Sequence, residues 1–256
     1  MSMILSIRWF FHSVFYLLKI KQITYRKSWI LSRTACLVND TYPLLKLNNS
    51  DVYNVQKGRV DLLYSYFTNN YERPRLGLIK YINRPDIKKL FIQQKFFFLP
   101  RKNKPSLFIL DSFSELVDKR FEGRSPVEGA FNAYFSDVDS CISEKMVCMD
   151  LLAEDELFDF YLTFFKAFRS YSDCPILFVL FPDKLEKRQS YLTRSRAIKE
   201  SIELIKIQIP NFHVFEIPDN LVNHAKNDSN PYHFGKEVYD SLANQIIKSN
   251  LLPVKN

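Results

Sequence analysis

Pro175-Ile176-Leu177-Phe178-Val179-Leu180-Phe181-Pro182 sets six consecutive apolar residues between two prolines. Six residues suit a strand and are too few for a helix. Apolarity at every position, rather than at every second one, describes a strand covered on both faces. The flanks agree. Upstream, Leu157, Phe160, Tyr161, Phe164, Phe165 and Phe168 recur at three- and four-residue steps, an apolar helical face. Downstream, Ile198, Ile202 and Ile205 repeat that pattern until Pro210 ends the helix. Phe212 to Ile217, between Pro210 and Pro218, reads as another strand, and Val238, Tyr239, Leu242 and Ile246 mark a last helix after Gly235. Nearer the amino terminus, Leu107 to Leu110 after Pro105 is a short strand; Trp29-Ile30-Leu31 and Val52-Tyr53 are weaker candidates. Alternating strands and helices predict an α/β fold of three layers, α/β/α, around a mainly parallel sheet. The expected organisation is one domain over residues 28–256, preceded by an apolar and basic segment over 1–27.

Composition narrows the function. Five glycines in 256 residues include no Gly-x-Gly-x-x-Gly and no Gly-rich loop ending in Lys-Ser/Thr, so the common cradles for dinucleotides and nucleoside triphosphates are absent. Cys36, Cys141, Cys148 and Cys174 show no C-x2-C spacing, and the four histidines form no H-x3-H pair. No metal and no cofactor are expected, and free thiols suit a reducing, cytoplasmic compartment. Lys and Arg exceed Asp and Glu by 36 to 28, a net charge of +8. The cations are dispersed, as in Arg101-Lys102-Asn103-Lys104 and Lys184 to Arg188, which argues against a specific nucleic-acid partner.

Met3 to Leu18, MILSIRWFFHSVFYLL, is apolar and aromatic, is interrupted by Arg8 and His12, and is followed by Lys19, Lys21, Arg26 and Lys27. It is short of the roughly 20 apolar residues needed to span a bilayer. Two readings stand. Residues 3–18 form an interfacial helix in peripheral membrane contact, or a terminal helix packed on the domain.

In open parallel sheets the binding crevice lies past the carboxyl ends of the strands. The segments there are Thr34-Ala35-Cys36, Asn54 to Arg59, Asp111 to Glu115, Pro182-Asp183, and the loop ending in Asn230-Pro231-Tyr232-His233. In the stretch Asp228 to Ile246, DSNPYHFGKEVYDSLANQI, a histidine in a Pro-containing loop directly precedes an amphipathic helix. This resembles the last block of the SGNH (GDSL-like) hydrolase superfamily, in which Asp-x-x-His precedes the final helix. His233 then falls on the general base, and Asn230 stands where the superfamily has Asp; Asp228 is a nearby carboxylate that would compensate, at a spacing that departs from the motif. Gly58 matches the glycine of the second block. LFILDSFSEL resembles the third block, with Ser114 and Glu115 in place of Asn and Asp. TACLVNDTY places Cys36 at the nucleophile, and Asp40 and Tyr42 also match the Gly-Ser-Cys opening of a polysaccharide-associated subgroup.

The resemblance implies a flavodoxin-like sheet and acyl chemistry on a carbohydrate or other acyl-ester substrate. Cys36 would attack the ester, His233 would take its proton, and Asn230 would orient the imidazole. The amides of Cys36 and Gly58 and the Ser114 hydroxyl would face the oxyanion. Ser112, in Asp111-Ser112 at a strand end, is a second candidate nucleophile, and Asp111 is a candidate for holding backbone amides. Each has a plainer reading: Cys36 as a small buried apolar residue and His233 as loop packing. A non-catalytic accessory or glycan-binding protein of the same fold is the alternative.

Overall fold

The computed structural model describes residues 3–48, 50–68, 73–226, 228, 230 and 232–253; Ser229 and Pro231 of the loop before the last helix lie outside them. The chain runs α1 (Met3–Thr24), β1 (Ile30–Arg33), α2 (Cys36–Thr41), β2 (Val52–Asn54), α3 (Val60–Phe67), α4 (Pro85–Lys95), β3 (Leu107–Asp111) and α5 (Phe113–Val117). It continues through β4 (Lys119–Gly123), β5 (Ala130–Ala133), β6 (Met146–Met149), α6 (Leu157–Tyr171), β7 (Ile176–Val179), α7 (Gln189–Gln208), β8 (Phe212–Phe215) and α8 (Lys236–Lys248).

The main sheet has the order β2-β1-β3-β7-β8, and every neighbouring pair is parallel. The expected α/β architecture is therefore present. Its order reverses between β1 and β3, where the crossovers leave in opposite directions and open a crevice. Helices α3, α6 and α7 pack in succession, and α2 packs on α8. Ile176, Leu177, Phe178 and Val179 have no exposed surface, as a strand covered on both faces requires. Each such side chain contributes about 1.5–3 kcal/mol of burial free energy. The α6 face inserts Phe164, Phe165 and Phe168, with Phe108 of β3 lying 4.6 Å from Phe168 between ring centroids.

Two features depart from the expectation. Strand β7 ends at Val179 and β8 at Phe215; Leu180 N–H still donates to Phe215 O at 2.9 Å, and Phe181 N–H then donates to Ser112 Oγ at 2.9 Å. A second, antiparallel sheet, β5-β4-β6, lies between β3 and α6 and was not foreseen. Its middle strand, KRFEG, offers one apolar side chain, Phe121, which stacks on Phe131 at 5.1 Å. Together with Phe91, Ile87 and Trp9 this pair forms a smaller core. Buried charges fasten the second sheet to the loop after β2. Lys57 Nζ meets Asp118 at 2.9 Å and Asp137 at 3.4 Å, and Asp61 takes both Arg59 and Arg120. Helix α1 packs Ile20 and Ile23 into the main core and leaves its opposite side outward.

Candidate active site

At the rim, Cys36 is the first residue of α2, directly after the β1 turn. That turn is held by carboxamides rather than glycines. Asn54, at the end of β2, accepts Thr34 N–H at 3.2 Å and donates to Thr34 O at 3.2 Å, continuing the strand pairing with a side chain. Asn39 accepts from Asn54 Nδ2 at 3.0 Å and from the Thr34 hydroxyl at 2.9 Å. From the other side, Asp111 accepts Ala35 N–H at 2.6 Å and Phe113 N–H at 3.1 Å. Burial pushes the Asp111 carboxyl up to about 7, against the pull of Arg33 and of these two amides.

Beneath the turn is a fully buried ion pair. Arg33 donates to Glu115 Oε2 at 2.7 Å, and Glu115 Oε1 accepts Val60 N–H at 2.9 Å. One carboxylate thus joins the ends of β1 and β3 to the start of α3.

His233 stands in the loop before α8. Its Nδ1 lies 2.6 Å from Asp228 Oδ2, so the carboxylate takes the imidazole N–H and leaves Nε2 as the acceptor. Asn230 has a different place from the one the superfamily motif implies. Its N–H donates to Asp228 Oδ1 at 2.8 Å, its Oδ1 accepts Tyr232 N–H at 3.0 Å, and its Nδ2 sits 3.4 Å from His233 Nε2. The Asn230 amide, then the His233 ring, hold Asp228 below the usual carboxylate range, so it is ionised at neutral pH.

Cys36 lies against the loop that carries His233. The Cys36 thiol points to the Tyr232 carbonyl, with Sγ 3.9 Å from the oxygen, one residue from the imidazole. Asp40, one helical turn beyond Cys36, feels the His233 charge, although burial is the larger influence and raises its pKa. Tyr239 of α8 lies in the fields of Asp40, Cys36 and Asp228. Burial first, and the carboxylates of Asp111 and Asp40 second, push the Cys36 thiol up to about 11.

The other candidate residues are placed differently. Ser112 is buried, and its hydroxyl accepts Phe181 N–H, tying β3 to the chain after β7. Ser114 is buried within α5. Gly58 is buried between Lys57 and Arg59, where a Cβ would come within 3.1 Å of the Leu63 side chain and 3.4 Å of Val55 O. A side chain here would press on Leu63 of α3. Among the described residues no hydrogen bond joins Gly58, Ser112 or Ser114 to Cys36 or His233.

Tyr232 links the histidine loop to a neighbouring hollow. Its ring lies 5.1 Å from Phe113 and 6.0 Å from Tyr191, and its hydroxyl bonds to Arg188. The hollow, about 350 Å³, is walled by Leu116, Val117, Tyr134, Phe135, Leu151 and Tyr191, with Lys119, Arg188 and Arg194 among its cations.

Comparison with known proteins adds little. No family model matches the chain, and no curated protein matches it. A solved structure described as a GDSL-like lipase from Bacteroides ovatus ATCC 8483 superposes with a TM-score of 0.44 at 10% sequence identity. The match covers 88% of this chain and 53% of that one, so this chain spans about half the length of its match.

Asn39 and Arg33 are the residues that motif reading missed as parts of the site; it gave Asn54 and Glu115 no role in holding the turn, and Asp228 only that of a nearby carboxylate. Asp228 stands five positions before the histidine rather than three. Successive side-chain turns at Asp228 and Asn230 curl the loop enough to bring it round. The polar ends of β1 and β2, Ser32-Arg33-Thr34 and Asn54, carried the remaining signal.

Proposed function

We propose that this chain is an SGNH-type acyl-ester hydrolase or O-acyltransferase acting on a sugar or surface-polysaccharide ester, with Cys36 as nucleophile, His233 as base and Asp228 as the orienting carboxylate. The observation that carries this reading is the 2.6 Å pairing of His233 with an ionised carboxylate, one residue from the carbonyl that receives the Cys36 thiol.

With its thiol near 11, Cys36 is not a resting thiolate. It acts as a serine would, giving its proton to His233 Nε2 as the sulfur–carbon bond forms. Asp228 balances the imidazolium that results. The imidazolium then protonates the departing alcohol, leaving an acyl-cysteine. Water or a sugar hydroxyl, deprotonated by the same imidazole, releases the acyl group. Asn230 Nδ2 vacates Nε2 as substrate enters, since one nitrogen cannot accept from both amide and thiol. The hollow beside Tyr232 suits the sugar, because exposed aromatic residues, Tyr134 and Phe135, line it.

Turnover of 4-nitrophenyl acetate and of an O-acetylated sugar tests this. Both substrates should be cleaved by the wild type, and neither by Cys36→Ala or His233→Ala. Turnover that survives both substitutions removes these residues from the mechanism. A specific observation favours the second reading, a glycan-binding protein without turnover: the thiol is held as a donor to a backbone carbonyl. Saturable glycan binding without cleavage, unchanged by Cys36→Ala, would select it.

A further inference from the structure

Among the described side chains of α1, apolar residues lie both on the side packed against the domain and on an exposed side. Trp9, Ile20 and Ile23 are buried against the domain, whereas Phe11, Val14, Phe15 and Leu18 are exposed, Phe15 by 69%. Their spacing places the exposed set on one stripe of the helix. An exposed stripe of large apolar side chains on a long helix marks a contact surface.

The charge around the stripe identifies what covers it. Residues 1–39 contain no Asp or Glu, and none occurs between Asp86 and Asp111. The structure brings these two acid-free stretches together. Asn103 donates to Thr24 O at 3.1 Å and to Tyr25 O at 3.3 Å, docking the Arg101–Lys104 loop on the end of α1. Lys19, Lys21, Lys27, Arg101, Lys102 and Lys104 are all exposed, and among the described residues no ion pair engages them. Arg101 and Lys104 also line, with Arg73, a hollow of about 560 Å³ walled by aromatic rings.

From this juxtaposition we infer that α1 and the 101–104 loop form a docking surface for an anionic lipid bilayer, on which the helix lies in the interface plane. Exposed aromatics beside cations that no carboxylate neutralises match the acyl–headgroup boundary, where rings enter the apolar layer and ammonium groups meet lipid phosphates. Among the described residues no helix is long and apolar enough to cross a membrane, so the helix rests on the surface. The inference is independent of the rim chemistry. It would bring the protein to esters displayed at a membrane.

Co-sedimentation of the full chain with vesicles tests it, using phosphatidylcholine alone and phosphatidylcholine mixed with phosphatidylglycerol. Binding is expected only to the mixed vesicles. Lys19→Gln/Lys21→Gln/Lys102→Gln should weaken it about a hundredfold, at about fivefold per cation. Phe15→Ser/Leu18→Ser should weaken it more than about tenfold. Both sets change exposed residues, so melting temperature and ester turnover should stay at wild-type values. No binding to mixed vesicles, equal binding to both kinds, or binding insensitive to both variant sets overturns the inference. So does a concentration-dependent dimer, abolished by Phe15→Ser/Leu18→Ser, in a protein that ignores vesicles.

Discussion

Replacing Glu115 by Ala removes the carboxylate on which three parts of the rim converge. It leaves Arg33, with no exposed surface, facing a void, and it strips Val60 N–H of its acceptor. At 2.7 Å and an effective dielectric of about 20, the Arg33–Glu115 attraction is about 6 kcal/mol before desolvation. Truncating one member of a buried pair costs about 3–5 kcal/mol, and an orphaned buried amide adds about 1–3. Arg33 is exposed to the upper part of that range, because its Nε and one terminal nitrogen already lack partners among the described residues. Asp111, the other carboxylate acting on Arg33, recovers part of the loss by ionising more readily. The expected cost is about 4–6 kcal/mol, a fall in melting temperature of about 10–20 °C at this size. Urea and thermal unfolding of the wild type, Glu115→Ala and Arg33→Met/Glu115→Gln measure it. The double variant keeps an acceptor for Val60 and removes the stranded cation, so it should regain at least about 2 kcal/mol over Glu115→Ala. A single variant within about 1 kcal/mol of wild type would refute the claim that this pair holds the rim together.

Three further outcomes follow from the same geometry. Asp228→Asn should lower ester turnover by about 10²–10⁴ with unchanged melting, since it disturbs an exposed orienting group; wild-type turnover would dismiss the dyad. Alkylation of Cys36 by iodoacetamide, followed by peptide mass spectrometry, should rise about tenfold per pH unit from pH 7 and level off near 11, with only about one ten-thousandth of the thiol ionised at pH 7; a plateau near neutrality would contradict the burial argument. Asp111 is raised to about 7 in the fold from about 3.9 unfolded, so the native state holds a proton that the unfolded chain releases. The stability this confers is complete below about pH 4 and is lost as pH rises through 7. The wild type should therefore lose about 2–3 kcal/mol between pH 5 and 8 that Asp111→Asn does not lose, and parallel pH profiles in urea titrations would count against it.

The fold was legible where burial is uniform. ILFVLF and LFIL declare themselves because both faces of β3 and β7 are covered, and the phenylalanine face of α6 shows what covers one of them. Strand β1 was fainter because its carboxyl half, Ser32-Arg33, is polar. Those side chains are buried against Tyr42, Thr34 and Glu115, partners that lie far away in sequence or outside any apolar pattern. The antiparallel sheet escaped notice for a related reason: KRFEG is fixed by one aromatic stack and by ion pairs that periodicity does not register. At the rim, resemblance pointed to His233 and Cys36; the Cys36 thiol meets the carbonyl of Tyr232, the residue before that histidine. The resemblance offered Asp228 only as a nearby carboxylate at the wrong spacing, because a spacing motif assumes one loop geometry, and here the loop curls through two side-chain turns. Ser112 and Gly58 have structural surroundings of their own, the first accepting Phe181 N–H and the second lying against Leu63 of α3.

The most direct test of the central claim is to look for the acyl group itself. The protein is mixed with an activated acetyl ester, quenched in acid and digested, and the peptides are weighed. The account predicts a transient acetyl mass on the peptide carrying Cys36, absent in His233→Ala and accumulating when the acceptor is withheld. An ester consumed at the same rate with Cys36 unmodified, or acetyl carried instead by the peptide containing Ser112, would contradict it.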